Sequence, residues 1–176
     1  RARIASDAPA FALISIQWVL WGYTLAFGPD RGGIIGGLDW MGLRGVGQTP
    51  NADYAATIPH QVFMLFQMMF AVITPALITG AFAERKSFHA FVLFAFLWST
   101  LVYLPLCHWV WATDGWLFKM GVIDLAGGLV IHVSAGFSAL AVALQMRATI
   151  YDLEEAELCY APQFGSAKDA VNFAGM

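Results

Sequence analysis

Charge is scarce in this chain. Asp, Glu, Lys and Arg together make up 12% of its 176 residues, about half of the roughly 25% found in soluble domains. So few charges leave little with which to cover a water-facing surface, and 59% of the residues are hydrophobic. Basic residues are outnumbered by acidic ones, nine against twelve, for a formal charge of −3. With no basic patch either, a nucleic-acid partner is not expected. Cysteine is limited to Cys107 and Cys159 in different surroundings, too few for a disulfide framework and silent on compartment. A secretory signal is not expected, because Arg1 and Arg3 precede an apolar run too long for the core of one.

What is present is a set of long uncharged runs. No fixed charge falls between Asp7 and Asp30, where "PAFALISIQWVLWGYTLAFG" fills the gap. Further runs extend over Ala55 to Ala83, Ser87 to Thr113 and Leu125 to Met146. A bilayer core needs about 20 predominantly apolar residues in a helix, with a range of about 17–25. The rival reading, four buried helices of a soluble protein, fails because none of the runs carries a charged face at helical spacing. The fold class is therefore all-α, a polytopic membrane helical bundle with four transmembrane helices. Pro75 and Pro105 imply local kinks in the second and third spans, which bundle neighbours tolerate.

Loops orient the spans. Arg1, Arg3, Arg85, Lys86 and Arg147 fall on one side if the helices alternate, whereas Arg31, Arg44 and Lys119 are spread over the other. The positive-inside tendency places the "ERK" turn at 84–86 in the cytoplasm. Residues 29–54 then form a glycine-rich external loop. Its "GGIIGG" lacks the spacing and the strand–helix frame of a dinucleotide fingerprint. Character changes at Ala148, where a tail with five acidic residues in 29 begins. Two parts are expected, a membrane part over 1–147 and a foreign-looking tail over 148–176, and the simplest explanation of the junction is that two unrelated sequences have been joined there.

Several residues inside the spans could carry chemistry. Phe66 and Phe70 in "FQMMF" share one helix face at an i, i+4 spacing. Trp109 and Trp111 lie near the external interface, where tryptophan ordinarily anchors at headgroups. His132 is deep in the fourth run, and an ionisable group there points to function, since it is costly in lipid and faces the bundle interior. Asp124, at the start of that run, suits a helix cap, a source of negative potential at a pore mouth, or both. On a continuous helix, eight residues at about 1.5 Å each would separate Asp124 from His132 by about 12 Å, so the two are not a hydrogen-bonded pair. Gly127, Gly128, Ser134, Gly136 and Ser138, with Ala135, Ala139 and Ala143 spaced four apart, give the helix small faces that let a neighbouring backbone approach. His60, His89, His108 and His132 have no ligand-like spacing, so no metal site is expected.

At these residues the chain resembles a known family. "IQWVLWGYTLAFGP", "FQMMFAVITPALITGAFAER", "HWVWATDGWL" and "IDLAGGLVIHVSAGFSALAVAL" are similar to the second to fifth membrane helices of the ammonium transporter family (Amt/Mep/Rh), in order, over residues 8–146. The resemblance implies that Trp111 and Phe66 belong to an external ammonium recruitment site, with Asp124 beneath it for recruitment and structural support. It implies that Phe70 is one of two stacked gate rings and His132 the first of twin pore histidines. The implied partners are ammonium or ammonia and the lipid bilayer, with no cofactor, no enzymatic activity, a homotrimer in the full-length family and a cell inner or plasma membrane location. The family's first helix and second half have no counterpart here, so the chain is expected to be a fragment, inactive alone.

The tail resembles something else. "IYDLEEAELCYAPQFGSAKDAVNFAGM" is similar to the C-terminal dimerisation region of flavin-dependent coenzyme A-disulfide reductase and NADH oxidase, without that family's nucleotide-binding segments. Two alternatives to transport follow: a membrane ammonium sensor of the same fold, or a fragment of a flavin-dependent reductase.

Overall fold

The computed structural model describes residues 11–79, 87–149 and 151. The "ERK" turn, Arg1, Arg3 and the acidic tail lie outside the described residues. Helix α1 is Phe11–Phe27, α2 is His60–Ile78, and α3 runs through Phe88–Trp98, Ser99–Tyr103 and Leu104–Trp111. A short α4, Trp116–Lys119, precedes α5, Gly128–Gln145. By length and composition α2, α3 and α5 can each cross a membrane, and α1 is a shorter, mainly apolar helix with 17 residues described, at the lower end of what about 30 Å of hydrocarbon requires.

The second expected run begins later than the sequence reads. Residues Ala55–Pro59 form strand β4 rather than the first turns of a helix. Pro59 is extended, at ψ 139°, and its ring disfavours the helical conformation in the residue before it. Helix α2 therefore starts at His60, with loop carbonyls as its cap: His60 N–H donates to Thr49 O at 3.3 Å and Gln61 N–H to Gly47 O at 3.1 Å. Strand β4 pairs antiparallel with β3, Pro50–Asn51, and a second ribbon joins β1, Asp30–Arg31, to β2, Ile35–Gly36. The loop between α1 and α2 thus folds as two small ribbons over the helix ends.

Wide π turns interrupt α1 at Trp18–Gly22 and α3 at Ser99–Tyr103, and one opens α5 at Gly128–Val133. The one in α3 leads up to Pro105, which cannot donate a backbone hydrogen bond, and Leu104 N–H reaches back to Ser99 O instead. Pro75 sits within α2 beside Thr74, whose hydroxyl donates to Phe70 O at 2.6 Å.

Packing joins the end of α1 to the end of α3, and α2 to α5. Ala135, Ala139 and Ala143 are the buried residues of Ser134–Gln145, so the small face does lie inside. Trp98 crosses to it, donating its indole N–H to Ser138 Oγ at 2.9 Å. Gln17 on α1 donates to Thr100 Oγ1 on α3. The half of the core beneath the ribbons is aromatic. Trp18, Tyr23, Phe27, Trp40, Tyr54, His60 and Phe63 are linked by ring contacts, and Tyr23 Oη lies 2.6 Å from His60 Nε2. Large apolar side chains such as Leu93, Leu101, Phe137 and Leu144 remain exposed along the helices.

Candidate functional site

The last turn of α3 and the connector to α5 build the site. Trp111 closes α3, and its indole N–H donates to the main-chain carbonyl of Asp124 at 3.0 Å. The Trp111 ring meets Phe70 at 5.7 Å between centroids, and Phe70 meets Phe66 edge to face at 4.9 Å. Phe66 is 54% exposed, so the three rings lead from an open surface inward to a partly buried aspartate. Four of the five residues singled out in the sequence therefore form one connected column.

Asp124 caps α5, but not from the adjoining position. Its Oδ2 accepts the N–H groups of Leu129, at 3.2 Å, and Val130, at 2.9 Å. The intervening chain turns at Gly127, which has φ +79° and whose carbonyl accepts from both Ile131 and His132 at 2.9 Å. An added Cβ there would lie 2.3 Å from Ile131 Cδ1. This corrects the continuous helix assumed for residues 124–132: the carboxylate folds over the first turn and touches an N–H two residues from His132. The glycines also divide their work. Gly127 makes the turn, Gly136 faces open space, and the close helix contact falls to the alanines.

His132 lies in the first turns of α5, between buried Ile131 and exposed Val133, and is itself exposed in this chain, which corrects the interior-facing position expected of it. It is joined to the Asp124 cap by its own backbone, through Gly127, not by a side-chain contact with the column. Among the described residues no group of three metal-ligating side chains comes together.

Sequence reasoning missed a buried histidine–carboxylate contact at this end of the molecule. His108, fully buried on α3, places Nε2 3.0 Å from Asp30 Oδ1 and Nδ1 2.9 Å from Ala26 O. Asp30 sits in the β1–β2 ribbon, and the His108 hydrogen bond is the main reason its carboxyl is held below the usual carboxylate range. Residues 78 apart carry no spacing signal. Only the ionisable character of His108 within an apolar run marked it.

Helices of spanning length with exposed apolar flanks, arranged below an aromatic mouth, define a multi-pass membrane protein. Comparison with known proteins then narrows the class. The family model described as Ammonium Transporter Family matches residues 4–158. An ammonium transporter of Bacillus subtilis is 56% identical over 135 residues, covering 77% of this chain and 33% of that protein. Ammonium transporter Amt1 of Archaeoglobus fulgidus is 47% identical over 141 residues, covering 80% of this chain and 33% of its own length. The crystal structure of Saccharomyces cerevisiae Mep2 superposes with a TM-score of 0.74 at 40% identity, covering 81% of this chain and 32% of that one. The chain belongs to the ammonium transporter family, and it spans about a third of the length of these curated relatives.

Proposed function

We propose that this chain forms part of the conduction path of a transporter that moves ammonium or ammonia across a membrane. The observation that carries the reading is the column of Phe66, Phe70, Trp111 and Asp124 above the helix that bears His132. Aromatic faces attract a small cation by about 0.5–2 kcal/mol, most where water is excluded. Trp111, Phe66 and Asp124 would recruit ammonium at the external mouth, with the carboxylate adding negative potential beneath the rings. Phe70, one turn inward, would gate the entrance.

Beyond the gate a bare ammonium would face hydrocarbon, where an isolated charge is very costly. Deprotonation removes that barrier: neutral ammonia crosses, and the proton crosses separately by way of His132, a group whose charge changes near neutral pH. His132 is exposed in this chain; the relatives are about three times longer than the matched segment, and their further helices would form the facing wall. The activity is transport, not enzymatic conversion, and it needs no cofactor. A homotrimer, the family's assembly, is part of the same reading, as is an end to the transporter part near residue 147.

The test is a chimera in which residues 11–147 replace the matching segment of the Bacillus subtilis relative, assayed by methylammonium uptake. Saturable uptake that is lost with His132→Ala supports the proposal. Full uptake in that variant overturns the role of His132, and a chimera that binds without flux favours a sensor.

A further inference from the structure

Resting on that reading of the mouth, we propose that His108 and Asp30 are a charged positioning pair that fixes the end of α3, and with it the ring of Trp111. His108 is fully buried, and both of its ring nitrogens face oxygens. Nδ1 lies 2.9 Å from the Ala26 carbonyl at the end of α1, and Nε2 lies 3.0 Å from Asp30 Oδ1. A carbonyl can only accept. Asp30 already accepts the Gly33 N–H through Oδ1 at 3.1 Å and Oδ2 at 3.0 Å, an arrangement suited to the ionised carboxylate. Both hydrogen bonds of His108 therefore form together only when each ring nitrogen carries a proton. The pair is an imidazolium and a carboxylate, and a neutral ring would leave a buried acceptor without a donor.

Other ionisable groups nearby are engaged elsewhere. Lys119 on α4 acts on Asp30 only through space and lies 3.7 Å from Asp114. Tyr54, from the external loop, donates to Phe27 O at 2.8 Å. The match to His108 thus rests on Asp30.

The pair reaches the mouth through the backbone of α3. His108 O accepts the Ala112 N–H at 3.3 Å, closing the turn that carries Trp111. Trp109 donates its indole N–H to Ile34 O at 2.8 Å, beside the ribbon that holds Asp30. The stretch "HWVW" is thereby tied in three directions: to α1 and β1 by His108, to the β1–β2 turn by Trp109, and to the α5 connector by Trp111. Gly115 seals the arrangement from the other side, where an added Cβ would lie 2.2 Å from His108 O. His108 and Asp30 act on ammonium recruitment through the position of Trp111 and are not themselves ligands.

Two readouts on the chimera described above test this. Nitrogen NMR of its histidine side chains, with His108 assigned by difference from His108→Gln, is expected to report both ring nitrogens protonated at about neutral pH. Asp30→Asn should convert it to the neutral form protonated at Nδ1. A neutral His108 in the unsubstituted chimera overturns the proposal, whether or not any variant reaches the membrane. In methylammonium uptake corrected for surface amount, Asp30→Asn and His108→Gln are each expected to raise KM about tenfold and leave the maximal rate within about twofold, the double variant being no worse than either single one. An unchanged KM, or single effects that multiply in the double variant, overturns the positioning role. A chimera with a protonated His108 but no uptake defeats the transport reading instead, and the role at the mouth with it.

Discussion

Trp111 holds Asp124 by its backbone, not by its carboxylate: the indole N–H donates to the aspartate's main-chain carbonyl at 3.0 Å. That leaves the side chain to cap α5 through Leu129 and Val130. Cap and aromatic floor are joined in one residue, yet they respond to different substitutions.

Asp124→Ala removes the acceptor of two backbone N–H groups and is expected to cost about 1–2 kcal/mol, the upper range for loss of a helix cap. Asp124→Asn keeps an oxygen for those groups and should recover most of that stability. Thermal unfolding in detergent measures the difference. If the negative charge also recruits ammonium, saturable uptake falls in both variants. Unchanged uptake with Asn would reduce Asp124 to a cap.

Trp111→Leu removes the ring that meets Phe70 at a tilt and the N–H that holds the Asp124 carbonyl. A cation–aromatic contribution of about 0.5–2 kcal/mol corresponds to about a 2- to 30-fold weaker apparent affinity. The concentration dependence of methylammonium uptake reads this directly. The maximal rate should change less than the affinity, because the ring acts before the pore.

Gly127→Ala tests the turn between cap and helix. The left-handed backbone costs a residue with a side chain about 1–2 kcal/mol, and here the new Cβ also collides with Ile131. A lower unfolding temperature is expected, together with loss of transport, because Ile131 adjoins His132. Gly136→Ala, where the added carbon meets open space in this chain, is the control for side-chain addition alone.

Asp30 makes stability depend on acidity in a defined direction. Its carboxyl is held below the ordinary value of 3.8, chiefly by the His108 hydrogen bond. The unfolded state therefore binds a proton more readily, and the contribution is fully present above that ordinary value and lost as pH falls through the depressed one. Unfolding temperatures measured from neutral pH downward should fall in the acid range. Asp30→Asn should flatten that part of the profile, and an identical slope in both proteins would contradict it.

Trp98→Phe and Ser138→Ala each break the hydrogen bond between α3 and α5 at 2.9 Å. Interhelical bonds of this kind average about 0.6 kcal/mol in membrane proteins. Each variant is expected to lower stability by about that amount, and the two together should cost no more than one alone, in a double-mutant cycle read by thermal unfolding.

Much of this molecule is written locally. The uncharged runs mark the helices because lipid accepts apolar side chains and little else. The i, i+4 spacing of Phe66 and Phe70 puts their rings together because a helix repeats every 3.6 residues. The family resemblance, carried by "DLAGGLVIH" and its companion stretches, is matched over residues 4–158. Less legible were the features that depend on a break in regularity. Pro59 shortened α2 in favour of a strand, and Gly127 folded Asp124 back over α5, because one residue's backbone limits outweigh the apolar pattern around it.

Composition and periodicity determined that this is a helical membrane protein, and the family resemblance implied which residues belong together at its mouth. Only the tertiary structure decided that Trp111 seeks a carbonyl and that His108 pairs with Asp30 across 78 positions. The physical reason is the same in each case. A buried polar atom must find a partner, and which partner lies within reach depends on how separate helices pack, which no local spacing records.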